Sequence, residues 1–194
     1  MLSGAGLTGT APAAAATASE LTSYQRRIML AAQRERDRLA SLLLDSNLVA
    51  VADFAQPSSL PRLHFVDLAA GTVQSHLVAH GRGSDPAHVG WLKHFSNDMG
   101  SLATSRGAYL TCEQYDGKYG PSLRLRGLDL TNSNAHDRAI VMHPAWYAAP
   151  DMLAKYGKLG RSEGCFAMAP EDFGTALHRL GSGHLLFADR IGEA

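Results

Sequence analysis

From residue 48 onward, the chain is dominated by short apolar and β-branched runs separated by turn-forming residues. Runs of about four to eight such residues, bounded by Gly, Pro, Ser, Asn or Asp, are typical of β-strands. The run that follows the turn Ala-Ala-Gly-Thr also alternates in polarity, as expected for a sheet. The sequence therefore predicts a mainly β fold with peripheral α-helices, of the α+β class, with strands at 48–54, 62–68, 73–79, 109–115, 123–130, 138–142 and 184–189.

Two segments show helical signals instead. Residues 19–44 place apolar side chains near a 3.6-residue spacing, with a charged opposite face at 33–38, which indicates an amphipathic helix docked on a domain. Pro170, followed by two acidic residues, predicts the start of a second helix that runs to about Leu180. The apolar positions of the first helix are Leu21, Tyr24, Ile28, Ala31, Ala32, Leu39, Leu42 and Leu43.

Residues 1–17 are rich in Gly, Ala and Thr and contain the run Ala13–Ala16. This resembles the apolar middle and small-residue cleavage zone of a signal peptide, although no basic region precedes it; the alternative is a disordered tail. We therefore expect three regions: a signal-peptide remnant or tail at 1–17, a helical segment at 18–47 and a catalytic domain at 48–194. The cleavage-like zone favours export from the cytoplasm. The family resemblance given below supplies most of the support for export, and it implies the periplasm or cell envelope of a bacterium.

The overall charge excludes several classes of function. Lys and Arg together number 18, as do Asp and Glu, so no nucleic acid or membrane surface is an expected partner. No run approaches the roughly 20 apolar residues of a transmembrane segment.

His76 and His80 lie four positions apart, about 13 Å along a strand, which is too far for adjacent metal ligation. No metal or other cofactor is expected, and a zinc hydrolase remains a minor alternative.

The chemistry points to two residues near the end of the chain. His143 ends an apolar run, and Cys165 follows Gly164 and a polar lead-in 22 positions later. A thiolate attacks carbonyl carbon, and a neighbouring histidine can remove the thiol proton. Gly164 allows a tight turn that exposes backbone N–H groups to a developing oxyanion. Alone, however, His143 could be a core residue, and Cys165 could be a structural thiol or form a disulfide with Cys112.

The segment Ser162-Glu163-Gly164-Cys165, downstream of a strand that ends in His143, resembles the signature of the L,D-transpeptidase (YkuD-like) family. The resemblance extends through Phe95-Ser96-Asn97, Gly100-Ser101, the run Ser122-Leu-Arg-Leu-Arg-Gly-Leu and Asn134-Ala135, and covers roughly Val49 to the C-terminus. It is strongest to the murein transpeptidase-like branch. Three positions depart from common family choices: Glu163 before the glycine, Ala167 two positions after the cysteine, and Pro144 directly after His143.

The resemblance implies a YkuD-like β-sandwich catalytic domain that acts on peptidoglycan stem peptides. Cys165 would be the nucleophile, His143 the general base, and the N–H groups of Gly164 and Cys165 the oxyanion donors. Transfer of the thioester to an amine would make the chain an L,D-transpeptidase, whereas transfer to water would make it an L,D-carboxypeptidase or endopeptidase. A catalytically silent cell-wall binding module is a further alternative.

Three further residues are candidate substrate contacts. Ser162 is expected to order the loop, and Arg161 to meet a substrate carboxylate, because the guanidinium fork matches a carboxylate. Tyr119, in the turn at 117–122, is a weaker candidate. The irregular region 81–105 is longer than most loops in a compact domain, which is typical of a functional or mobile segment, and the resemblance places it over the approach to the active site.

Overall fold

The fold is built on one mixed sheet with three α-helices at its surface. The computed structural model describes residues 21–192, so the predictions made for residues 1–17 lie outside the described residues. The strands are Leu48–Asp53 (β1), Leu63–Asp67 (β2), Thr72–His76 (β3), Gly107–Gly117 (β4), Gly120–Gly127 (β5), Val141–Pro144 (β6), Phe166–Met168 (β7) and Leu185–Asp189 (β8). The α-helices are Ser23–Leu39 (α1), Pro150–Tyr156 (α2) and Pro170–Arg179 (α3). The predicted α+β class is confirmed.

The eight strands follow the order β3-β2-β1-β8-β4-β5-β6-β7. The pairs β1/β8 and β6/β7 are parallel, and the other pairs are antiparallel. Beyond β3 the chain turns back to β7, where Ala79 pairs with Ala167 and Gly81 pairs with Ser162. The two edges of the sheet therefore meet, and the sheet curls around its own core.

The core lies inside this curled sheet. Phe54 follows β1 and Phe166 begins β7, five strands away, yet their ring centroids are only 6.1 Å apart. Ala50 and Ala52 of β1 pack in the same inner cluster as these two rings, while Val49 and Val51 face α1. Both faces of β1 are thus covered, which explains why all six of its residues are buried and why it reads as a continuous apolar run.

Helix α1 packs on the outer face of β1, β2 and β8. It begins after Thr22, whose side chain accepts a hydrogen bond from the Gln25 N–H while the Gln25 side chain accepts one from the Thr22 N–H. This reciprocal cap satisfies two of the N–H groups that a helix leaves unpaired at its start. The predicted amphipathic helix is confirmed. After Leu39 the chain tightens into a 3₁₀ turn, so Leu42 points outward and is 48% exposed, contrary to its predicted place on the apolar face.

Two elements were not predicted from the sequence. Helix α2 lies in what reads as a polar connection, although Pro150 at its start and Gly157, left-handed just past its end, are the usual signals of a helix. Strand β7 has only three residues, too few for a pattern to reveal. The predicted strand at 73–79 ends early, at His76, because the following residues leave β3 to reach β7.

Candidate active site

Strands β6 and β7 bring the two predicted catalytic residues together. They run parallel, with Met142 opposite Phe166 and His143 opposite Ala167, so Cys165 arrives at β7 beside the end of β6. His143 and Cys165 both line a cavity of about 460 Å³. The other lining residues are Met99, Gly100, Leu102, Tyr119, Asp137, Arg138, Ala139, Tyr147, Arg161, Ser162 and Glu163. Every side chain proposed from the sequence as a site residue therefore faces this one cavity.

His143 is buried, and its ring orientation suits a base. Nδ1 lies 3.0 Å from the Pro144 carbonyl oxygen, which can only accept a hydrogen bond, so the proton of the neutral ring sits on Nδ1. Nε2 then carries the lone pair. Burial lowers the pKa of His143, and the Pro144 carbonyl opposes this effect in part. The imidazole is therefore neutral at pH 7 and able to accept a proton.

Cys165 is a buried, protonated thiol at rest. Burial raises its pKa, an effect opposed by the Val141 N–H and reinforced by the nearby Glu163 carboxylate. The Sγ atom lies 3.6 Å from the Ala139 carbonyl oxygen, within range of a weak S–H hydrogen bond. Cys112 and Cys165 are both free, so the alternative of a disulfide between them is wrong.

Ser162 orders the turn that carries the thiol. Its Oγ donates to the Cys165 carbonyl oxygen at 2.6 Å and accepts from the Gly164 N–H at 3.2 Å, while its own N–H donates to the His80 carbonyl oxygen. The turn needs glycine, because Gly164 has φ +116° and an added Cβ would lie 2.8 Å from the Ala103 carbonyl oxygen. The Gly164 N–H proposed as an oxyanion donor is thus occupied by Ser162 at rest.

A buried polar cluster supports this turn from beneath. Arg62 Nη2 lies 2.6 Å from His80 Nδ1, and Asp85 Oδ2 lies 3.6 Å from His80 Nε2. Burial and the adjacent guanidinium lower the pKa of His80 to about 3, so the ring is neutral. Above this cluster, the Arg161 guanidinium donates to the carbonyl oxygens of Asp85 and Pro86. Arg161 therefore holds the long loop while it also lines the cavity.

The role of Arg138 was not predicted from the sequence. Its Nη1 donates to the Ser96 carbonyl oxygen at 2.8 Å and to Ser105 Oγ at 2.6 Å. Its Nη2 donates to Ser101 Oγ at 3.1 Å and to the Ala103 carbonyl oxygen at 2.5 Å. One guanidinium thus joins the loop 96–105 to the wall of the cavity. The sequence offered only a charged residue at the start of a predicted strand as a signal.

Two residues with strained backbone conformations also line this cavity. The non-glycine residues with left-handed backbone in the described chain are His88, Leu102 and Ala139, and the last two line the cavity. Such a conformation costs roughly 1–2 kcal/mol for a residue with a Cβ. Strain of this kind clusters at functional sites, where the surrounding contacts enforce it. The Arg138 hydrogen bonds to Ser101 and Ala103, on either side of Leu102, are contacts of this type.

Within residues 21–192, no group of three or more His, Cys, Asp or Glu side chains could hold a metal ion. No helix in that range is long and apolar enough to cross a membrane.

Comparison with protein families and solved structures connects this geometry to known proteins. The family model described as the L,D-transpeptidase catalytic domain matches residues 21–188. A search of curated proteins gives no match.

Solved structures resemble the chain at low identity. An L,D-transpeptidase from Mycobacterium smegmatis is 12% identical, with a TM-score of 0.45, over 74% of this chain and 58% of the other. An L,D-transpeptidase from Mycobacterium tuberculosis is 18% identical, with a TM-score of 0.39, over 74% and 57%. The helical cell shape determining protein Pgp2 of Campylobacter jejuni is 10% identical, with a TM-score of 0.48, over 87% and 57%. The chain thus spans less than two thirds of each of these structures.

Proposed function

Because the chain belongs to the L,D-transpeptidase catalytic domain family, we propose that it is a cysteine-dependent acyltransferase acting on peptidoglycan stem peptides. In this proposal Cys165 forms a thioester with the substrate and His143 is the general base. The observation that carries it is the placement of a thiol and a neutral imidazole on one cavity, with His143 on β6 and Cys165 directly before the adjacent parallel strand β7. No cofactor is needed for this chemistry.

The resting protonation states set the order of events. Both groups are neutral, so the thiol gives its proton to His143 Nε2 as Sγ attacks the carbonyl carbon of the L-centre. The C–N bond then breaks, and the departing amine of the D-residue takes that proton. An acceptor amine next attacks the thioester, loses a proton to His143 and leaves Cys165 as a thiol. Water in place of the amine gives the hydrolytic product.

The oxyanion of each tetrahedral intermediate is assigned to the N–H groups of Gly164 and Cys165. The Gly164 N–H reaches it by exchanging the Ser162 hydroxyl for the oxyanion. The hydrogen bond from this N–H to the oxyanion forms in the transition state. It is stronger than the bond it replaces, because a charged acceptor binds an N–H more tightly than a neutral hydroxyl does. Ser162 keeps its hydrogen bond to the Cys165 carbonyl and so holds the turn in place.

Arg161 and Tyr119 remain the proposed substrate contacts. Arg161 Nη1 is engaged by loop carbonyls, so a substrate carboxylate would be bound by the other N–H groups of the fork. Tyr119 is 46% exposed at the rim of the cavity, where an incoming peptide would contact it.

Two carboxylates favour transfer to an amine over hydrolysis. Asp137 and Glu163 line the same cavity as Cys165; the Glu163 side chain is 58% exposed and pairs with Arg82 at 2.9 Å, an exposed ion pair that an incoming ammonium group would compete with. A carboxylate near the thioester attracts the ammonium form of an acceptor and holds it where water would otherwise react. Glu163, one of the positions at which the sequence departs from common family choices, would thus serve the second half of the reaction.

Mass spectrometry of products from purified muropeptides tests the proposal. We expect crosslinked dimers, together with release of the terminal D-residue, and loss of both in Cys165→Ala. Tripeptide without dimer would establish the L,D-carboxypeptidase instead. Absence of any product, together with failure of a carbapenem to acylate Cys165, would leave a silent binding module.

We further propose that the protein works outside the cytoplasm, in the periplasm or cell envelope. The family's substrate and the signal-like composition of residues 1–17 support this location. Fractionation of cells expressing the full gene tests it, and protein confined to the cytosol without processing would contradict it.

A further inference from the structure

A second cavity, of about 380 Å³, lies at the N-terminal end of α1. Its lining residues are Thr22, Tyr24, Gln25, Gln56, Leu60, Pro61, His64 and Ser75. Among the described residues, the two cavities share none of their lining. The second cavity is therefore a separate site that the chemistry of Cys165 does not use.

Four side chains beside this cavity form one hydrogen-bonded series. His64 of β2 and Ser75 of β3 are directly opposite in the antiparallel pair, and Ser75 Oγ lies 2.8 Å from His64 Nδ1. His64 Nε2 lies 3.0 Å from the Tyr24 hydroxyl of α1, which donates to Asp53 Oδ2 of β1 at 2.9 Å. The series therefore runs from a hydroxyl at the cavity to a buried carboxylate.

The positions of the protons follow from the ends of this series. Asp53 is fully buried; its Oδ1 accepts the N–H groups of Ala55 and Ile191, and its Oδ2 accepts the Tyr24 hydroxyl. The Tyr24 hydroxyl gives its single proton to Asp53, so its oxygen accepts from His64 Nε2–H. Neutral His64 then has its lone pair on Nδ1, and the Ser75 hydroxyl donates to it. This is the arrangement of a serine nucleophile beside its base.

We propose that Ser75 is the nucleophile of a second catalytic centre, an esterase site in which His64 is the base and Tyr24 and Asp53 complete the proton relay. The inference goes beyond the proposed acyltransferase and does not depend on it. The substrate class follows from the lining, which contains no Asp, Glu, Lys or Arg. Leu60 and Pro61 supply an apolar wall, which fits a small uncharged carboxylic ester.

The reaction balances with water as the second reactant. Ser75 Oγ attacks the ester carbonyl carbon as its proton passes to His64 Nδ1. The bond from carbon to the alcohol oxygen then breaks, and the alcohol leaves with that proton. Water attacks acyl-Ser75, gives a proton to His64, and releases the acid while Ser75 recovers its proton. The side-chain amides of Gln25 and Gln56 are the neutral donors on the cavity for the oxyanion.

The relay explains how a buried base can work here. Burial lowers the pKa of His64 to about 4, so an isolated imidazolium is costly at this position. When Nδ1 accepts the serine proton, Nε2 can pass its own proton to Tyr24 while Tyr24 passes its proton to Asp53. The positive charge then does not remain on the ring, and the buried carboxylate is neutralised. Tyr24→Phe keeps the ring but removes this route.

The test uses the full chain carrying Cys165→Ala, so that no thiol at the first site reacts. A fluorophosphonate and p-nitrophenyl acetate are the probes. We expect the fluorophosphonate on Ser75 in peptide maps, and not on the exposed Ser182, which has no histidine partner. We expect ester turnover to fall at least about 100-fold when Ser75→Ala is added, the size of a lost nucleophile and base pair.

Tyr24→Phe in the same background separates catalysis from folding. It should lower ester turnover about tenfold or more and leave the circular dichroism spectrum unchanged, whereas a purely structural network would lose stability without changing labelling. Folded Cys165→Ala protein in which Ser75 stays unlabelled would overturn the proposal. Ester turnover equal to that of the Cys165→Ala/Ser75→Ala protein would overturn it as well. Neither outcome bears on the role proposed for Cys165, because every protein in this test carries Cys165→Ala.

Discussion

The ring of Tyr119 stacks on the imidazole of His143, with centroids 4.6 Å apart and planes inclined by 23°. Tyr119 sits in the turn between β4 and β5, whereas His143 lies on β6, so the contact joins a hairpin tip to the proposed base. An aromatic pair of this kind contributes about 0.5–1.5 kcal/mol beyond its buried area. The stack covers one face of the imidazole and contributes to the burial that lowers its pKa.

Tyr119→Ala should therefore raise the pKa of His143 toward the ordinary value of about 6.5, because water reaches the uncovered ring face. The acidic limb of the activity profile should move to higher pH by the same amount. Nuclear magnetic resonance titration of the His143 ring measures the shift directly. Tyr119→Phe keeps the stack and is the matched control. Equal titration curves for the alanine variant and the wild type would contradict the role of the stack.

Cys165→Ala and His143→Ala should each remove nearly all muropeptide turnover, and the double variant should be little worse than either. Residues that act as one unit lose their joint contribution when either is removed. Burial holds the pKa of the thiol above its ordinary value, so iodoacetamide should label Cys165 slowly at pH 7 and faster as the pH rises beyond 9. A double variant whose loss equals the product of the two single losses would argue that the residues act independently.

Arg138→Met should lower stability by about 3 kcal/mol, because it leaves carbonyl and hydroxyl groups of the loop 96–105 without their charged donor. It should also lower kcat/KM by about 10–100-fold, since the displaced loop no longer shapes the cavity. Arg106→Met is the matched control, because its ion pair with Asp189 lies at the surface and contributes about 1 kcal/mol at most. Urea unfolding and steady-state kinetics of both variants provide the comparison.

Glu163→Gln should raise the KM for the acceptor amine about 3–10-fold and increase the hydrolytic share of the products, because the carboxylate that attracts the ammonium is lost. Rising ionic strength should have a similar effect on the wild type and little on the variant. Glu113→Gln removes another exposed carboxylate, one that pairs with Arg124 away from the cavity, and serves as control. An unchanged ratio of dimer to tripeptide in Glu163→Gln would remove Glu163 from acceptor binding.

The protein should lose stability on acidification between about pH 6.5 and pH 4, partly because of His64. The unfolded chain binds a proton at this residue near pH 6.5, whereas the folded chain does so only near pH 4. Within this window the unfolded state binds more protons, so the free energy of unfolding falls as the pH falls, by up to about 1.4 kcal/mol per pH unit. Above the window the stabilisation is fully present.

His64→Gln should flatten this dependence by about one proton. Urea unfolding at pH 7, 6 and 5 measures the slope for both proteins. His136→Gln is the control, because that histidine is exposed at the surface. The same slope in His64→Gln and in the wild type would show that His64 takes no part in the acid response.

Much of the fold could be predicted because its signals are local. The runs that became β1, β2 and β8 carry the strand pattern in their own residues, and the cap of α1 lies within four consecutive residues, Thr22 to Gln25. The pair of His143 and Cys165 was recognisable for the same reason, since both lie within one segment and each has a side chain suited to its chemistry. Helix α2 and strand β7 are too short for such a pattern to develop.

The sequence by itself determined most of the strands, although not β7, and which two side chains suit acyl transfer, because periodicity and side-chain chemistry are properties of neighbouring residues. Only the tertiary structure decided that the sheet closes by pairing Ala79 with Ala167, and that Arg138 binds a loop more than 30 positions earlier. The protonation states of His143 and Cys165 also belong to the folded protein, because burial shifts both pKa values. The series from Ser75 to Asp53 arises in the same way, from three strands and a helix that meet only when the chain folds.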